Sequence, residues 1–140
     1  MGFTMSFREK SAWITLIAIL LVSALFALHG PRLSHPRPWD FHALLACIAA
    51  FIVIETVAYV VLRLRYPEDA RTPLDERERL INLKATRLAS GCYVVGSFLA
   101  VLTIHHGASA VMVAYFVVLA FVFAEIVKYS ARIVYYRRGV

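Results

Sequence analysis

Residues 41–62 read FHALLACIAAFIVIETVAYVVL, an apolar run interrupted only by His42 and Glu55. A helix of this length, rising 1.5 Å per residue, crosses a hydrocarbon layer of roughly 30 Å. Working outward, Ser11–Leu28 and Leu88–Ile104 are near-continuous apolar runs, and Ala108–Val127 is broken only by Glu125. The chain is 61% hydrophobic and 17% charged, too few polar residues to cover four such helices in a water-soluble fold. These runs predict an all-α, polytopic membrane protein: a four-transmembrane-helix bundle forming one domain over 1–140. The expected spans are about 11–28, 41–64, 87–104 and 108–130, with a cytoplasmic loop at 65–86.

The cations set the orientation. Of the 15 Lys and Arg, only Arg32 and Arg37 fall in the first and third connections; the rest precede span one, lie between spans two and three, or follow span four. The positive-inside rule then predicts cytoplasmic N- and C-termini. The net charge of +6 is accounted for in the same way, as a basic rim facing anionic lipid headgroups. Membrane lipids, rather than nucleic acid, are the expected partners. Ser23–Leu28 offers no clean small-x-small cleavage site, so the first span reads as retained rather than as a signal peptide. Cys47 and Cys92 fall inside spans at depths differing by roughly half the bilayer, beyond disulfide reach, and are expected as free thiols.

The connections are punctuated differently. His29–Asp40 holds three prolines and a glycine and forbids helix, whereas His105-His106-Gly107 is so short that helices three and four must be antiparallel neighbours. Thr72-Pro73-Leu74-Asp75 reads as a helix start with Thr72 as N-cap, giving a third helix of about 48 Å that projects beyond the membrane. Asp75, Glu76 and Arg79 at spacings of three and four suit a solvated, ion-paired turn. Helix four is expected to run on to Arg138. Cys92, Gly96 and Ala100, every fourth residue, form a small-residue seam for close helix packing. Trp13, Tyr66, Tyr135 and Tyr136 on the inner side, with Trp39 and Tyr115 on the outer, read as interfacial anchors.

An offset of seventy residues relates two segments. Phe51, Glu55, Val57 and Tyr59 recur as Phe121, Glu125, Val127 and Tyr129, and Tyr66 as Tyr136. The pattern predicts a duplicated two-helix hairpin with its axis along the membrane normal. Glu55 and Glu125 lie at comparable depth, and an ionised carboxylate in hydrocarbon costs several kcal/mol. Glu four residues before Tyr places acid and phenol on one helical face, so Glu55 with Tyr59 and Glu125 with Tyr129 are candidates for an intramembrane proton or cation site. Pairing with Arg87, Lys128 or Arg132 would instead make the acids packing devices.

The histidines fall toward the outer side. His29, His42, His105 and His106, with His35 and Asp40 nearby, are candidates for a metal or haem site, although their spacing matches no established ligand pattern. The chain has no phosphate-binding glycine loop, CxxC, HExxH or serine elbow, so no enzymatic activity and no cofactor are expected. Three functional classes follow. The first is a non-enzymatic accessory or regulatory bundle, working with a membrane-protein partner or as a homo-oligomer. The second is a small proton- or cation-coupled transporter or channel using Glu55 and Glu125. The third is a haem- or metal-binding redox protein using the outer histidines.

The opening Ser6-Phe7-Arg8-Glu9-Lys10-Ser11-Ala12-Trp13, together with Asp75-Glu76-Arg77-Glu78 before the third span, resembles small uncharacterised four-helix bacterial inner-membrane proteins. The resemblance implies a bacterial inner membrane and carries no activity with it.

Overall fold

The computed structural model describes residues 7–29, 38–67 and 75–138. Four long helices account for nearly all of them: α1 (Phe7–His29), α2 (Pro38–Arg65), α3 (Glu76–Leu102) and α4 (Ala110–Arg138). A short 3-10 turn at Thr103–His106 joins the last two, and no strand occurs among the described residues. The connections containing Thr72 and His35 lie outside the described residues.

Helix α3 starts three residues later than Thr72 predicts. Asp75 has extended backbone, and its carboxylate accepts from the Glu76 N–H at 2.7 Å. The Glu78 carboxylate reaches back to accept from the Asp75 N–H at 3.4 Å. This reciprocal box satisfies two donors at the helix start, and its acids suit the positive end of the helix dipole. At the other end, the Thr103 hydroxyl donates to the Ala100 carbonyl at 2.6 Å. Gly107 then reverses the chain at φ 80°, a left-handed conformation that glycine adopts without a Cβ clash. Ser109 accepts from the Met112 N–H at 3.3 Å and opens α4.

The α3–α4 hairpin has the most extensive interface; α4 packs also on α1, and α1 on α2. Helices α1 and α4 are therefore central, and α2 lies at an edge. Lipid tails are as apolar as leucine, so burial from water does not drive helices together within a membrane; close packing must. Gly96 supplies it: a Cβ there would lie 2.7 Å from the Ala120 Cβ, so α3 approaches α4 where no side chain intervenes. Of the seam residues, Gly96 lies at this close approach, Ala100 is buried, and Cys92 is a half-buried free thiol. Toward the start of α3, Ala89, Ala85 and Ile81 are buried as well. Tyr93 meets Phe121 edge to face at 6.1 Å. Tyr115, expected as an outer anchor, is instead buried, at 3% exposed. Between α1 and α4, Ala12, Leu16 and Ile133 form a cluster lined by Trp13, Ile126 and Tyr129.

Three helical stretches are long and apolar enough to cross a membrane: His42–Arg65, Glu76–His106 and Ala110–Arg138. In their most apolar windows only 6%, 11% and 11% of residues are buried in the bundle. Large side chains such as Val53, Val94, Phe98 and Phe123 point outward instead, as expected of helices solvated by lipid.

Candidate functional site

The start of α1, the end of α2, the start of α3 and the end of α4 meet at one basic end of the bundle. Arg8 of α1 pairs with Glu78 of α3 at 2.8 Å. Arg137 of α4 pairs with Glu9 of α1 at 3.6 Å, and its guanidinium lies 5.5 Å from the centre of the Trp13 ring. Lys10 stands 4.6 Å over the ring of Tyr66, just past α2. Arg77 donates to the Tyr136 carbonyl at 3.3 Å. The start of α3, read from sequence as a solvated ion-paired turn, is thus tied to both α1 and α4. Glu9 and Glu78 were the legible signal, acids placed among the cations of the basic end.

Further along the helices from this end lies a layer that holds the two candidate acids, Glu55 and Glu125. The Tyr129 hydroxyl donates to Glu55 Oε1 at 3.1 Å, joining α4 to α2. Glu125 accepts from the Lys128 ammonium on both oxygens, at 2.9 and 3.0 Å, with the two side chains 19% and 26% exposed. Lys128 and Arg132 stand 5.1 and 5.6 Å from the centre of the Tyr129 ring. Tyr129 is thus the hub, touching both a carboxylate and two cations. Its counterpart Tyr59 is 53% exposed and outside the layer, because α2 has an extensive interface with α1 alone. The phenol-to-carboxylate bond expected within each Glu–Tyr pair forms once, and between helices.

The chemistry open to this layer follows from its donors. Glu55 and Glu125 both accept hydrogen bonds already. The Trp13 indole N–H and the Arg132 Nε–H are shielded and find no acceptor among the described residues. Glu55 keeps acceptor capacity beyond its one bond from Tyr129, whereas the charge of Glu125 is met by Lys128 on the same helix.

The histidines expected on the outer side are less gathered. His105 and His106 are exposed, their rings 5.9 Å apart and nearly perpendicular. His42 is exposed on α2, while the side chains of His29, His35 and Asp40 lie outside the described residues, as does that of Cys47. Among the described residues no three His, Cys, Asp or Glu side chains converge on one point. No protein family, curated protein or solved structure matches the chain.

Proposed function

We propose that this chain is a four-span protein of a bacterial inner membrane, with cytoplasmic termini, that works as a non-enzymatic accessory or regulatory helix bundle through contacts with a membrane-protein partner or a second copy. The fourth span is α1, which carries no charged residue between Ser11 and Leu28. The orientation rests on the concentration of Lys and Arg at one end. The seventy-residue repeat supports descent from a duplicated hairpin. The observation that carries the functional reading is the use made of the two acids: Glu55 is bonded by Tyr129 across helices and Glu125 by Lys128. Glu55 is engaged between helices, and Glu125 is neutralised within its own helix by Lys128, which supports a structural use of both acids.

Two measurements test this. Alkaline phosphatase fused within residues 30–37 should be active and fused after residue 140 inactive; the opposite result reverses the orientation. Purified in detergent, Glu55→Gln and Glu125→Gln should melt earlier than wild type or change their assembly. Acids that can be replaced without either effect would sink the structural role. The second reading, a proton- or cation-coupled transporter, is favoured by the gathering of Glu55, Glu125, Lys128 and Tyr129 in one part-buried layer. It requires proton or cation flux in liposomes that Glu55→Gln abolishes while the fold stays intact.

A further inference from the structure

A recess of about 400 Å³ opens on α2 close to the basic end, lined by Tyr59, Val60, Arg63, Leu64 and Pro67. Tyr59 and Arg63 are four residues apart and share a helical face. The recess joins an apolar lining to one guanidinium and one phenol, with no acid among its described lining residues. Several cations at this end have partners: Arg8 and Arg137 pair with acids of α3 and α1, Lys128 with Glu125, and Lys10 with Tyr66. Arg63 has no such partner among the described residues, and it is exposed. An arginine at the end of an apolar helix extends its stem toward the headgroups, and its planar fork matches two phosphate oxygens.

We propose that this recess holds one anionic phospholipid, its phosphate on Arg63, the Tyr59 hydroxyl donating to a phosphate or ester oxygen, and an acyl chain lying along Val60 and Leu64. Charge selects the occupant. Arg63 on this face, with Arg65 also exposed at the same end of α2, makes the end cationic, which would repel the same end of a second copy and attract an anionic headgroup. Tyr59, left out of the acid layer, has its role here. The proposal rests on α2 being a span with its basic end at the membrane surface.

The test uses the full chain in nanodiscs of phosphatidylcholine doped with phosphatidylglycerol, followed by native mass spectrometry of the retained lipid. Wild type should keep one phosphatidylglycerol in preference to phosphatidylcholine. Arg63→Gln should lower that retention about fivefold, as expected for one cation at an anionic surface. Val60→Trp, which fills the recess and leaves its charge alone, should lower it similarly, while Arg138→Gln, with the same change of charge, should not. Equal losses from Arg63→Gln and Arg138→Gln would reduce the effect to diffuse attraction and overturn the site. So would a Val60→Trp variant that binds like wild type, or displacement of the lipid by soluble glycerol phosphate. Were α2 not a span, the phosphatase fusions would fail first; failure of the lipid site alone leaves them unchanged.

Discussion

Glu55 with Tyr59 and Glu125 with Tyr129 are the same pattern in two surroundings. In α4 the tyrosine packs against the cluster of Ala12, Leu16 and Ile133 beside the cations of its own helix, and it donates to an acid on another helix. In α2 the tyrosine faces out, 53% exposed, and its acid is an acceptor for α4. A spacing of four fixes which residues share a face; the neighbours of that helix decide what the face meets. Helix α4 has neighbours on two sides and α2 an extensive one on a single side. A repeated motif thus yields one hydrogen bond instead of two.

The strongest way to break this contrast is to remove what makes α4 central. A side chain at Gly96 would meet Ala120 at 2.7 Å, with backbone behind it at 3.4 Å, so α3 would have to move away. Gly96→Leu should destabilise the bundle by about 3 kcal/mol, at the upper end for overpacking, when unfolding is followed by circular dichroism in mixed detergent micelles. Ala120→Gly in the same chain should restore part of the loss. A variant as stable as wild type would mean that α3 and α4 are not in close contact at this level.

A smaller effect sharpens the contrast between the two tyrosines. Tyr129→Phe should cost about 1 kcal/mol, the range of interhelical hydrogen bonds in membranes. Tyr59→Phe, which removes the same hydroxyl from an exposed ring, should change stability by less than about 0.5 kcal/mol. Combining Tyr129→Phe with Glu55→Gln should cost less than the two separately, since both act on one bond. Strict additivity would place Glu55 outside the reach of Tyr129, and equal costs for the two tyrosines would restore a symmetric pair.

These outcomes bear on what the sequence could reveal. Helix positions were legible because uninterrupted apolar runs have one reading in a chain with so few polar residues. Gly96 and Ala100 were legible because close helix approach in lipid demands small residues at that spacing. The acids Glu55 and Glu125 stood out by the cost of burying them. Their partners did not. That Tyr129 rather than Tyr59 would bond Glu55 depends on the order of helices across the bundle, which no local spacing encodes. Tyr115 failed for the same reason: an aromatic near a helix end is equally suited to an interface or to the interior of the bundle, and the neighbouring helices decide. Asp75 was placed near the helix start, but Thr72 had an equally good capping side chain; the reciprocal bond with Glu78 selects the later residue.

The smallest effects lie at the basic end, where two ion pairs tie the start of α1 to different helices. Arg8 and Glu78 meet at 2.8 Å with side chains 19% and 22% exposed, while Arg137 and Glu9 meet at 3.6 Å with the arginine 63% exposed. An exposed pair gains little, because water and salt screen the attraction and ordering two long side chains costs entropy. Arg8→Gln should therefore cost about 0.5 kcal/mol and Arg137→Gln still less, the latter loss coming partly from stacking on Trp13. Raising salt should shrink the penalty of Arg8→Gln, because that pair acts through charge, and leave most of the Arg137→Gln penalty, because contact with an indole face depends less on ions in solution. Thermal melting of the two variants at low and high salt separates the cases. If both penalties vanish together at high salt, the start of α1 is held by charge alone, and the small area it buries against α4 near Trp13 contributes nothing to holding the basic end closed.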